Sequence, residues 1–180
     1  MIERRVMTAD DVQRAITRLS RELILWDDPT DPAVLIGIQR RGAVLARRIA
    51  AAMAPDGVGP AVGSLDISLY RDDLTELAAY PIVRPTELPF PVEDRRVVLV
   101  DDVLFTGRTV RAALQAIADH GRPSLVRLAV LIDRGHRELP IRADHVGRNL
   151  PTARDELVHV RLAEVDGEDG VGLEWSDLGR

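Results

Sequence analysis

The sequence predicts an α/β fold built on a mostly parallel central sheet. Three observations carry this. The continuous apolar run at 33–38 ("AVLIGI") reads as a buried parallel strand, and 95–101 ("RRVVLVD") and 125–133 ("LVRLAVLID") read as further strands. Between them lie stretches whose apolar residues recur at helical spacing. The two kinds of segment alternate, as they do in parallel α/β sheets.

The elements follow in order. Thr8, followed by Asp10 and Asp11, marks a helix start, with a capping hydroxyl and acids at the positive end of the helix dipole. Val12, Ala15, Ile16, Leu19, Leu23 and Ile24 continue that helix to about Asp27, before the breakers Pro29 and Pro32. The strand at 33–38 leads into a helix over 42–53, then a turn-rich connection, "PDGVGPAVG". Residues 61–73 ("AVGSLDISLYRDD") alternate apolar and polar and predict a strand. A loop over about 71–92 follows, with prolines at 81, 85, 89 and 91; a loop that long in a compact domain is expected to be a lid. It is acidic, with seven acids against two Arg over 66–94. After the strand at 95–101, Val110, Ala113, Leu114 and Ile117 mark a helix that stops at His120-Gly121. Beyond the strand at 125–133, "HVGRN" (145–149) and "ELVHVRLAE" (156–164) predict late strands, and "EDGVGLEW" (168–175) a last one.

At 180 residues and 46% hydrophobic, the chain predicts one domain over 1–180 with a sizeable core. No apolar run approaches the ~20 residues of a membrane span, and the N-terminus lacks a secretory apolar segment. With no cysteine, disulfide and thiolate chemistry are excluded. The expectation is a cytoplasmic protein with no membrane partner. All 24 basic residues are Arg, which removes every mechanism that needs a lysine. A net charge of −5 argues against coating nucleic acid nonspecifically. Residues 121–161, however, hold eight Arg against five acids, so a local basic face remains open.

The chemistry concentrates in "VVLVDDVLFTGRT", 97–109. An apolar strand runs into Asp101 and Asp102, at the strand end where such folds bind ligands. Gly107 permits a tight turn, Thr106 and Thr109 supply hydroxyls, and the following helix supplies free N–H groups: an anion cradle suited to a phosphate. The two acids would repel that phosphate and suit sugar hydroxyls or a metal. The stretch therefore fits a molecule carrying a phosphate and a diol, such as a ribose 5-phosphate. A Walker B strand is the main rival, but GxxxxGK[ST] is absent. Receiver domains also need a lysine, the glycines at 57–63 lack dinucleotide-binding spacing, and acids that merely cap a helix remain the structural alternative.

These thirteen residues resemble the phosphoribosyl-pyrophosphate loop of the type I phosphoribosyltransferases. Residues 64–74 ("SLDISLYRDDL") and 129–152 ("AVLIDRGHRELPIRADHVGRNLPT") are similar to the PyrR family of pyrimidine operon regulators with uracil phosphoribosyltransferase activity. That resemblance spans the first helix to about residue 175. It implies a type I phosphoribosyltransferase fold with flanking helices, a flexible lid and a small hood. It implies pentosyl transfer from phosphoribosyl pyrophosphate to uracil, giving UMP and pyrophosphate with Mg²⁺ held mainly through the substrate. It also implies binding to pyrimidine-gene messenger RNA leaders in response to UMP or UTP, and a homodimer or larger oligomer.

By resemblance, Asp101 and Asp102 hold the ribose, and Val103, Leu104, Phe105, Thr106, Gly107, Arg108 and Thr109 wrap the 5-phosphate. Arg40, Arg41 and Gly42 form the pyrophosphate loop, with Arg41, Asp101 and Asp102 as the catalytic set. Asp133 and Arg134 form the floor of the base site, and Tyr70, Arg71, Asp72 and Asp73 the base of the lid. Thr17, Arg18, Arg21, Arg137, Arg142 and Arg148 are the RNA-binding set. Taken singly, Arg41 also reads as a solvated charge, Asp133-Arg134 as a turn with a local ion pair, Tyr70 as ordinary packing, and His136 as a surface-loop residue. The chain departs from the family pattern at Arg40 (usually Thr), Phe105 (commonly Tyr), Arg21 (His) and Trp26 (Arg). An RNA-binding nucleotide sensor with little catalysis, and a phosphoribosyltransferase for another base, stand as alternatives.

Overall fold

The computed structural model describes residues 2–71 and 85–175. Its frame is a five-stranded, all-parallel sheet made of β2 (Val34–Ile38), β3 (Val62–Leu65), β4 (Arg96–Leu104), β5 (Leu125–Asp133) and β6 (His145–Asn149), in the order β3-β2-β4-β5-β6. Strands β2, β4 and β5 fall on the stretches expected at 33–38, 95–101 and 125–133. Their alternation feeds two cores. Leu35, Val98, Val100, Ala129 and Leu131 pack with α1 (Ala9–Trp26) and α2 (Arg41–Met53) on one face. Val34, Ile36, Val97, Leu99 and Val130 pack with α3 (Arg108–Ala118) on the other.

Helix α1 begins as its sequence requires. The Thr8 side chain accepts from Asp11 N–H, and the Asp11 carboxylate accepts from Thr8 N–H, a reciprocal capping box. Helix α2 crosses the ends of β2 and β4 closely enough that both crossing residues must be glycine. A Cβ at Gly37 would collide with the Gly42 carbonyl, and one at Gly42 would lie 2.5 Å from the Val100 carbonyl oxygen. Helix α3 starts from Gly107, which is left-handed with φ 94°.

A second, antiparallel sheet holds β1 (Ile2–Met7), β7 (Leu157–Arg161) and β8 (Gly170–Trp175) in the order β1-β8-β7, joined by the short helix α4 (Ala163–Asp166). It is clamped to α2 by ion pairs from Arg48 to Glu164 at 2.5 Å and to Asp169 at 2.6 Å.

The structure corrects three expectations of local structure and adds one strand. Strand β1 has no sequence-stretch signal: "IERRVM" carries charges at its centre and is a strand because β8, some 170 residues away, pairs with it. The strand expected over 61–73 stops at Leu65 and gives way to a 3₁₀ turn at Ser68–Tyr70, held by Asp66 accepting from the N–H and hydroxyl of Ser68. The strand expected over 156–164 ends at Arg161, and 163–166 is helical. The strand expected over 95–101 runs on to Leu104, so both acids lie inside it. Of the expected lid, Asp72, Asp73 and residues 74–84 lie outside the described residues. Residues 85–92 return along β3, where Ser64 and Glu87 bridge.

Candidate active site

The two acids interrupt β4. Up to Val100 the side chains alternate strictly between the two cores, but beyond the acids Val103 joins the first core and Leu104 the second. The reason is local. Asp102 N–H donates to the Asp101 carboxylate at 3.0 Å, and Val103 N–H donates to the Asp102 carboxylate at 2.9 Å. Asp101 is only 6% exposed. Burial pushes the Asp101 carboxyl well above its ordinary range, and the neighbouring Asp102 charge pushes it further. Burial also raises Asp102, against an opposing pull from the Arg41 guanidinium. A pair of buried carboxyls, one of them able to hold its proton, presents donors and acceptors suited to hydroxyl groups.

The turn after β4 is scaffolded by the segment that follows β5. The Thr106 carbonyl accepts from the N–H groups of Glu138 and Leu139, at 3.0 and 3.2 Å. Arg137 donates to the Phe105 carbonyl at 2.9 Å and pairs with Asp133 at 2.5 Å. Glu138 accepts from Arg108 at 2.9 Å and also pairs with Arg154. Thr106 Oγ1 accepts from Arg108 N–H, and α3 has neither a side-chain cap nor an acid in its first turn. That helix end therefore keeps its positive dipole for an anion.

The N-terminus of α2 faces the acids. An atom placed as a Cβ on Gly42 would lie 3.2 Å from Asp101 Cα. Arg40 precedes the helix after a cis peptide bond from Gln39. Arg41 does not reach freely toward the acids: its guanidinium forms a two-pronged pair with Asp166 of α4, at 2.6 and 3.0 Å. That pair raises the Arg41 pKa and lowers that of Asp166.

The structure thus gathers residues 101–109, Arg41, Gly42 and the 133–141 segment at one end of the sheet. It does not leave every predicted side chain open to that space. The Asp133 carboxylate is taken by Arg137. Arg134 is 4% exposed and turns away, its guanidinium 4.0 Å from the Phe105 ring centroid and donating to Thr152 Oγ1 and the Ala153 carbonyl. His136, expected on a surface loop, is half-buried, with Nε2 2.7 Å from the Thr152 carbonyl and its ring against Phe105. Tyr70 Oη donates to Asp119 at 2.5 Å, tying the base of the expected lid to the end of α3, and the Arg111 guanidinium donates to the Tyr70 carbonyl. Sequence reasoning missed Asp166, Glu138 and Thr152.

The RNA-binding set divides. Thr17, Arg18 and Arg21 lie on α1; Arg18 donates to the carbonyls of Val146 and Gly147 on β6. Arg148 donates to the Val6 carbonyl, and Arg142 and Arg21 are exposed. Arg137 is instead absorbed into the scaffold of the phosphate turn. Among the described residues no cluster of three or more His, Cys, Asp or Glu could hold a metal, and no helix is long and apolar enough to cross a membrane.

Comparison with known proteins agrees with this architecture. The model of the phosphoribosyl transferase domain matches residues 7–162. The chain is 57% identical over 169 residues to the bifunctional protein PyrR of Deinococcus deserti, covering 93% of this chain and 92% of that one. It is 58% identical to the bifunctional protein PyrR of Pelotomaculum thermopropionicum, covering 92% of each. Among solved structures, a hypoxanthine phosphoribosyltransferase from Staphylococcus aureus superposes with a TM-score of 0.71 at 18% identity, covering 97% of this chain and 93% of that one. The hypoxanthine phosphoribosyltransferase of Trypanosoma cruzi gives 0.69 at 17% identity, covering 94% and 95%. At that identity the solved structures share the fold alone.

Proposed function

The chain belongs to the phosphoribosyl transferase domain family and, within it, to the bifunctional PyrR proteins, and we infer that it is a uracil phosphoribosyltransferase that also regulates pyrimidine genes. The observation that carries the enzyme is a buried double carboxyl on β4 followed, across the turn at 105–107, by a helix start without a side-chain cap. A ribose 5-phosphate needs both.

In this reading the 5-phosphate sits against the N–H groups of 107–109 and the Thr106 and Thr109 hydroxyls. Asp101 and Asp102 take the ribose hydroxyls. The pyrophosphate lies toward Gly42 and Arg41, whose guanidinium exchanges Asp166 for the leaving group. Uracil N1 attacks C1 of the ribose, the C1–O bond breaks with its electron pair leaving on pyrophosphate, and the N1 proton passes to the released pyrophosphate or to solvent. Positive charge grows on the sugar beside the two acids, and negative charge on the leaving group beside Arg41. The base lies near the 133–139 segment, whose bonds to Phe105, Thr106 and Thr152 would present backbone groups to it. Tyr70 and Arg71 anchor the lid that excludes water.

Magnesium ions are bound by one or two carboxylates with substrate phosphates supplying the rest, and such an ion neutralises a leaving pyrophosphate. Asp101 and Asp102 are the carboxylates that would contribute.

The exposed Arg21 and Arg142, with Arg18 and Arg148 on the α1–β6 surface, support messenger-RNA binding governed by UMP or UTP. This work belongs in the cytoplasm, and a dimer or larger assembly would join two such surfaces. Asp102→Asn tests the enzyme reading. Loss of a charge-assisted hydrogen bond is worth about 1.5–3 kcal/mol, so UMP formation should fall about tenfold to hundredfold with the fold intact. An unchanged rate would remove Asp102 from the site.

A further inference from the structure

Arg18, Glu22 and Trp26 stand four residues apart on α1 and form one row, about 12 Å long. The row packs along the sheet edge. Arg18 bonds the β6 carbonyls, His145 Nδ1 lies 3.2 Å from the Glu22 carboxylate, and the Trp26 and His145 rings stand 6.3 Å apart. At the far end of the row two guanidinium groups stack on Trp26, Arg96 at 4.2 Å and Arg127 at 4.5 Å from the ring centroid. The cations of the row are not equivalent. Arg96 pairs with Asp27 at 3.3 Å and donates to the Asp31 carbonyl, and Arg18 lies 3.7 Å from Glu22. Among the described residues no carboxylate pairs with Arg127, which is half-buried on β5.

An indole face holds a guanidinium in a fixed plane without using its N–H edges, and those edges are the fork that matches a phosphate. From this geometry we propose that Arg127, held by Trp26, is a phosphate-contacting residue of the RNA surface, extending it from Arg18 and Arg21 to the far end of α1. The proposal rests on the RNA-binding reading above. Trp26 itself is not a base-stacking platform here, because guanidinium groups already lie against its ring.

The test measures binding of the purified protein, with UMP, to a transcript of a pyrimidine-gene leader from the same genome across a salt series, beside an unrelated hairpin of equal length. Arg127→Gln should weaken leader binding about tenfold and flatten the slope of log K against log salt by roughly one. Arg127→Lys should keep the slope. Trp26→Leu should weaken binding while keeping the slope, because the charge remains but is no longer held. UMP formation should be unchanged in all three. Wild-type affinity and slope in Arg127→Gln, alongside a loss in Arg142→Ala, would overturn the proposal and leave the RNA reading standing. A wild type that does not prefer the leader would overturn both.

Discussion

Gly42 is where the fold and the candidate site meet, so Gly42→Ala is the sharpest structural perturbation. Its Cβ would sit 2.5 Å from the Val100 carbonyl oxygen, when ordinary contact begins at 3.4 Å. The nearest atoms are all backbone of β4, which no rotamer change can move aside. Helix α2 must therefore back away from β4 by about 0.9 Å at the level of Asp101. Overpacking of this kind costs about 1–3 kcal/mol. At about 2–4 °C per kcal/mol for a chain of this size, the thermal midpoint should fall by roughly 2–12 °C. The same shift separates Arg41 and the Gly42 N–H from the acids. A misplacement of about 1 Å can cost about a hundredfold in rate, so kcat/KM for phosphoribosyl pyrophosphate should fall by that order. Thermal unfolding and initial rates of UMP formation on the same sample check both. A midpoint within 1 °C of wild type with an unchanged kcat/KM would refute the reasoning, because α2 would not be held where the structure has it.

Three further outcomes are expected. Asp101→Asn should raise the thermal midpoint at pH 7 while lowering activity. The folded-state pKa of Asp101 lies well above its ordinary value of 3.8, so the folded protein loses stability through this group as pH rises from 3.8 through the raised value. The gain from Asn should shrink as pH falls and vanish below about 3.8, and a gain independent of pH would contradict the assignment. Asp166→Asn should lower KM for phosphoribosyl pyrophosphate with a smaller effect on kcat, read from steady-state kinetics, because Arg41 no longer has to give up a two-pronged carboxylate pair to meet the pyrophosphate. Tyr70→Phe removes one exposed hydrogen bond to Asp119 and should change stability by no more than about 0.5–1.5 kcal/mol in denaturant unfolding.

What the sequence made legible was local. "VVLVDDVLFTGRT" encodes strand, acids, left-handed glycine and helix start within thirteen residues, and each depends only on its neighbours in the chain. The capping box at Thr8 belongs to the same class, whereas the need for Gly42 becomes evident only when Val100 lies beneath it. What was not legible depends on distant partners. Arg41 meets Asp166 across 125 residues, and β1 is a strand only because β8 pairs with it. The direction of Arg134 follows from the Phe105 ring and the Thr152–Ala153 segment, none of which a turn sequence reveals. Trp26 looked like a lost cation and proves to be the surface on which two others rest.

The central claim is a uracil-specific phosphoribosyl transfer on a fold shared with hypoxanthine phosphoribosyltransferases. Its most direct test gives the purified protein phosphoribosyl pyrophosphate and Mg²⁺ with uracil, hypoxanthine, guanine or orotate in turn, and measures nucleotide and pyrophosphate. UMP and an equal amount of pyrophosphate are expected from uracil, with little nucleotide from the other three. No UMP, or a preference for a purine, would contradict it.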